Sequence, residues 1–200
     1  MSIDTFKASD EEVPPARERD RWIGVYIGIL AVILAVAAMG GDNAAKDATL
    51  RNIEATNTWS FFQAKNLRRQ IVRTHVDDLE VLIETTPGLT AEGLARLKQR
   101  IADGKAYDAK LTSDPASGEG LDQLFERGKK LEKIRDRAMA QDPYFDYGQA
   151  LLQIAIVLAS VAIISGGVPL LVLSVALGAG GALMTLNGYL MFFTLPGLGT

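Results

Sequence analysis

The sequence has no cysteine, a single histidine, and not one charged side chain between Tyr147 and Thr200. Without cysteine there can be no disulfide, no thiolate chemistry and no cysteine-containing metal site. The lone His75 has Leu79 one helical turn on, which is no ligand, so the usual zinc site cannot form and a surface or interhelical hydrogen bond is its expected role. Neither a GxSxG nor an HExxH pattern occurs. The glycine-rich run Gly178-Ala179-Gly180-Gly181-Ala182 lies in an apolar helix with no lysine after it, so it reads as a flexible or closely packed segment and not as a phosphate loop. Asp77, Asp78, Glu80 and Glu84 form an acidic turn without the loop spacing or central glycine of a calcium hand. These absences lead to the expectation of no enzyme, no cofactor and no metal.

The mean hydropathy of +0.12 would suit a soluble domain, but it averages over two very different parts of the chain. All 21 Lys and Arg and all 24 Asp and Glu lie at or before Asp146. A soluble fold needs charge to solvate so long an apolar stretch, whereas a bilayer core demands that charge be absent. Residues 147–200 therefore predict a transmembrane hairpin, divided at Ser165-Gly166-Gly167-Val168-Pro169. The spans expected are Gln149–Ser165 and Pro169 to about Phe193, with Pro169 at a first-turn position where its missing N–H costs nothing. Tyr189, Phe192 and Phe193 would mark the far interface.

A further uncharged run, Trp22–Met39, predicts the first transmembrane helix, after a mixed-charge mobile tail over residues 1–21. Its length and the acidic residues before it argue against a cleaved secretory signal. Between the spans lies a polar insert, residues 40–146. No proline occurs between Pro15 and Pro87, and Ile53, Leu67, Ile71, Leu79 and Leu82 recur at helical steps, so helix is expected from about Asn43 to Thr85. A second helix should start behind Thr90 as N-cap and run to about Lys110; a third should run from Leu121 to about Ala140, where Asp142-Pro143 interrupts it. The basic run from Arg127 to Arg137 reads as a solvated helix face, since a continuing helix holds it about 18 Å from Gln149 and the Debye length is about 8 Å. Orientation stays open: Arg17, Arg19 and Arg21 favour a cytoplasmic N-terminus, and Lys46, Arg51 and the later basic run favour the reverse.

Two patterns point to association. Gly24, Gly28, Ala31, Ala35 and Ala38 form a small-residue stripe containing a GxxxG pair, which lets helix backbones approach closely, against either another copy or the chain's own hairpin. Ala155 with Ala159, Ala162 with Gly166 and Gly178 with Ala182 are similar pairs. After the first span, Ala45, Asn52, Trp59 and Asn66 recur every seventh residue beside Ala48, Ala55 and Phe62. Read as a coiled-coil seam for an oligomer or partner, this buries Asn52 and Asn66, where asparagine fixes register. Read as an ordinary amphipathic helix, it makes Trp59, Phe61 and Phe62 a small core within one copy.

Gly40-Gly41-Asp42-Asn43-Ala44-Ala45, Asn52-Ile53-Glu54-Ala55 and Trp59-Ser60-Phe61-Phe62-Gln63-Ala64-Lys65, together with the charge-free hairpin, resemble a bacterial family of membrane proteins, the domain of unknown function DUF4337. The resemblance covers nearly the whole chain and implies a multi-pass protein of the bacterial inner (cytoplasmic) membrane; the family brings no assigned activity. The expectation is thus an all-α integral membrane protein with three transmembrane helices and a long helical insert, coiled-coil in one of its readings. Its expected partners are the lipid bilayer and a second copy or another membrane protein, with no nucleic acid. Its expected role is a non-enzymatic scaffold or accessory subunit. The competing role is an oligomeric channel or small-solute transporter lined by Ser160, Ser165, Ser174, Thr185 and Asn187.

Overall fold

The structure, a computed structural model, describes residues 15–194, and every regular element among them is an α-helix. Helix α1 spans Pro15–Thr85, α2 Ala91–Thr112, α3 Leu121–Ser165 and α4 Val168–Leu190. By length and composition, α1, α3 and α4 each contain a stretch apolar enough to cross a membrane. The chain divides into two compact units: one holds the chain up to Ala45 and from Met139 onward, the other Lys46–Ala138. The expected tail lies outside the described residues up to position 14, and α1 already begins at Pro15.

Helix α1 continues through Gly40-Gly41, where the apolar run ends. Glycine there serves packing and not a break. A Cβ at Gly40 would collide with the ring of Phe145, and one at Gly41 would lie 3.3 Å from Phe145 and Gln149.

One expectation is corrected. Pro143 does not end a helix: α3 passes straight through it to Ser165. An interior proline loses one backbone hydrogen bond and costs about 3 kcal/mol. The compensation sits beside it, because Tyr144 and Phe145 are the largest fully buried side chains among the described residues. Burying two such rings, at roughly 1.5–3 kcal/mol for each Phe-sized side chain, is of a size to offset that loss.

In the first unit, α1 buries Ile23, Leu30, Ala37 and Ala44 at seven-residue steps, with Leu152 and Ala155 of α3 completing the centre. Ala155, Ala159 and Ala162 are buried along α3, and Gly178 and Gly181 along α4. The glycines admit close neighbours: a Cβ at Gly178 would stand 2.7 Å from the Tyr26 hydroxyl, and one at Gly181 2.8 Å from Leu152. The turn between α3 and α4 falls where expected, with Gly166 in the left-handed region at φ 68°. Arg19 donates to the Gly166 carbonyl at 3.4 Å, so the start of α1 and the α3–α4 turn lie at one end of this unit. At its other end α4 stops at Leu190, earlier than Phe193, because Met191 takes a left-handed conformation at φ 52°. Asn187 then holds the returning backbone of Phe193 through two bonds, 2.9 and 3.1 Å.

In the second unit, Thr90 caps α2 as expected, its hydroxyl accepting from the Gly93 N–H at 3.1 Å. Val76 and Leu79 of α1, Leu111 of α2 and Leu121, Leu124 and Leu131 of α3 form the buried interior. Gly104 lets α2 approach Val76 closely. The salt bridges Arg73–Asp108, a two-pronged contact of 2.8 and 3.0 Å, and Lys105–Glu80 at 2.6 Å edge this contact.

Candidate functional site

The small-residue stripe is not where the first unit packs on itself. Gly24, Gly28, Ala31 and Ala35 are exposed, Ala38 is half-buried, and a Cβ at Gly24 or Gly28 would meet nothing. The chain's own hairpin lies against the face carrying Leu30 and Ala37 instead. Of the two uses open to the stripe, packing on the hairpin is therefore not made by Gly24 and Gly28. The similar small residues of α3 and α4 are used internally, apart from exposed Gly166 and half-buried Ala182.

The polar side chains of the hairpin are mostly consumed within one copy. Ser174, fully buried, donates to the Ala155 carbonyl at 2.6 Å, and the Tyr26 hydroxyl donates to the Ser174 carbonyl at 2.9 Å. Thr185 donates back to the Gly181 carbonyl at 2.8 Å, beside Gly148, and Asn187 holds Phe193. Ser160 and Ser165 are exposed; the first donates to the Ile156 carbonyl and the second accepts from the Gly167 N–H.

In the second unit the seven-residue pattern meets α3 of the same chain. Ala55 is buried, Trp59 and Phe62 are half-buried, and both rings stand edge-on to each other at 5.6 Å. Phe125 of α3 stands edge-on to Trp59 at 5.6 Å, and Gly128 leaves room for the indole, since a Cβ there would be 2.8 Å from it. The indole N–H donates to Glu132 at 3.0 Å. Asn52 is exposed and not buried as a seam would need, and it accepts from Arg135 at 3.3 Å. Asn66 is half-buried. The helix that meets Ala55, Trp59 and Phe62 in this structure is thus the chain's own.

The apolar residues that mark α1 as amphipathic face the other way. Ile53, Leu67, Ile71 and Leu82 are 52%, 63%, 63% and 44% exposed, and of that series Leu79 alone is buried. Sequence periodicity finds such a face but cannot say which neighbour it meets.

The electrostatics of this unit are those of a surface. Lys129 donates to Glu132 at 3.1 Å and, with the Trp59 N–H, holds its carboxyl below the usual carboxylate range. Ser117 lowers Asp114 by hydrogen bonding, and Asp108 raises the Arg73 guanidinium further. Asp142, ahead of the charge-free segment, is pushed up by burial and then by Asp146. An open cleft of about 380 Å³ lies between Phe62, Arg69, Leu121, Asp122, Phe125 and Glu126; its carboxylates and rings carry no nucleophile–base pair. His75 is exposed, and among the described residues no cluster of His, Asp or Glu has the geometry to hold a metal.

The family model described as Domain of unknown function (DUF4337) matches residues 19–191, from the start of α1 to just past the end of α4. The chain belongs to this family. The DUF4337 match takes in both units, so the apolar helices and the polar helical insert are parts of one family pattern. Comparison with curated proteins and with solved structures gave no match.

Proposed function

We propose that this DUF4337 protein is a non-enzymatic scaffold or accessory subunit of the bacterial inner (cytoplasmic) membrane, crossing it three times and associating with a second copy or another membrane protein through its helices. The observation that carries this reading is the exposed Gly24/Gly28 face of an apolar helix. In lipid there is no hydrophobic drive between helices, and small residues are the feature that allows close backbone contact. Here the chain uses other residues for its own packing and leaves that feature open.

The channel reading has less support. Ser174, Thr185 and Asn187, which would line a pore, are buried and bonded within one copy, and the apolar segments carry no ionisable group for an ion path. Reconstituted protein under a solute or ion gradient should show no flux.

The direct test is purification in mild detergent combined with crosslinking in the native membrane. An oligomer, or a recovered membrane-protein partner, is expected. A strict monomer with no partner recovered would defeat the proposal.

A further inference from the structure

We propose that the cleft between α1 and α3 in the second unit binds a small apolar zwitterion, a molecule that carries an ammonium and a carboxylate or phosphate on an apolar body. This is a binding function beyond association and does not rest on it. Phe62 and Arg69, seven residues apart, share one face of α1, and Leu121, Asp122, Phe125 and Glu126 border the cleft from the first two turns of α3. The volume they enclose, about 380 Å³, lies in the ordinary range of small-molecule sites.

Arg69 is the side chain that points to a ligand. Its Nε is buried without a hydrogen-bond partner, and among the described residues its guanidinium enters no ion pair. Asp122 and Glu126 border the same cleft, yet neither comes within 4.0 Å of that guanidinium. Arg73, one turn further along α1, is the contrast, because both prongs of its guanidinium are bonded to Asp108. A buried N–H with no acceptor costs stability, and the group that best matches a guanidinium is the paired oxygens of a carboxylate or phosphate.

The rest of the cleft selects a zwitterion over a simple anion. Lys65 donates to the Glu119 carbonyl and the Trp59 indole to Glu132, so α1 and α3 run antiparallel here. Arg69 therefore stands at the end where α3 begins, and Glu126 lies towards Phe62. Two carboxylates on the α3 wall repel an anion. The rings of Phe62 and Phe125, tilted 51° to each other with centroids 6.3 Å apart, give an apolar floor that favours a cation above it. An ammonium over the rings and carboxylates, with the anionic group on Arg69, uses every charge in the cleft.

Trp59 reports on the site, since it stands edge-on to both rings at 5.6 Å. In full-length protein carrying Trp22→Phe it is the only indole. Its fluorescence in detergent is followed during titration with L-phenylalanine and, separately, with dihexanoyl phosphatidylethanolamine. At least one should give a saturable change with a midpoint at or below about 1 mM. Saturation by L-phenylalanine alone identifies a free amino-acid-like ligand, and saturation by the lipid alone a headgroup. Phenethylamine and phenylpropionate, which carry one charge each, should bind at least about tenfold more weakly. Arg69→Met and Asp122→Asn should weaken zwitterion binding by a similar factor. The unfolding temperature should hold in both and can rise in Arg69→Met, where the unpaired N–H is gone. No saturation by either zwitterion, equal binding of the singly charged compounds, or unchanged binding by Arg69→Met overturns the proposal. So does a lower unfolding temperature in Arg69→Met, which would make the guanidinium a structural group.

Discussion

The ring of Phe145 lies against the backbone of Gly188, so closely that a Cβ added at residue 188 would stand 2.8 Å from the ring carbons. Gly40 of α1 touches the same ring, and Tyr189 stands edge-on to it at 4.8 Å with its hydroxyl donating to the Val36 carbonyl at 3.0 Å. One aromatic side chain of α3 thereby joins α1 and α4 in the first unit.

Adding a methyl group at these glycines should be destabilising. Gly40→Ala and Gly188→Ala are expected to cost about 1–3 kcal/mol by overpacking, measured as thermal unfolding in detergent. Gly24→Ala, where a Cβ meets nothing, should leave the monomer as stable as before or slightly more so, since alanine favours helix by up to about 1 kcal/mol. The same substitution should thus change sign between two positions of one helix.

Acid should loosen the Trp59–Glu132 contact. The folded-state pKa of Glu132 lies below the ordinary value of 4.5, first through the Lys129 hydrogen bond, with the Trp59 indole adding to it. Its stabilisation is therefore fully present above pH 4.5 and lost as the pH falls through the lower folded value. In a Trp22→Phe background, unfolding followed by Trp59 fluorescence should show this loss, and Glu132→Gln should flatten that part of the pH profile.

Apolar contact, more than charge, should hold α2 in the second unit. Leu111→Ala, at a site 3% exposed, is expected to cost about 2–5 kcal/mol. Arg73→Ala should cost much less, with an effect that fades in high salt, because its pair with Asp108 lies at the surface. Denaturant unfolding of the two variants at low and high salt separates these contributions.

What could be read from the residues was what depends on neighbours along the chain. Thr90 as a cap, the Ser165–Pro169 turn and the three apolar segments all follow from local chemistry and composition. Pro143 was misleading because a local rule lost to packing: the burial of Tyr144 and Phe145 keeps α3 continuous. Gly40-Gly41 marks the end of the apolar run in the residues themselves, and only the fold shows that Phe145 lies against it. The two faces of α1 illustrate the deeper limit. Periodicity finds both the line through Asn52, Trp59 and Phe62 and the line through Ile53, Leu67 and Ile71, yet only the fold shows that α3 of the same chain meets Ala55, Trp59 and Phe62 and leaves the other line open.

The central claim is that this protein works by association through helix faces that one copy leaves uncovered. It is tested most directly by native mass spectrometry of the protein extracted into native nanodiscs, with bound proteins and lipids identified in the same sample. The expected result is a multiple of the 21.6 kDa chain, or one chain in a defined complex with another membrane protein. A single 21.6 kDa chain accompanied by lipid alone would contradict the account.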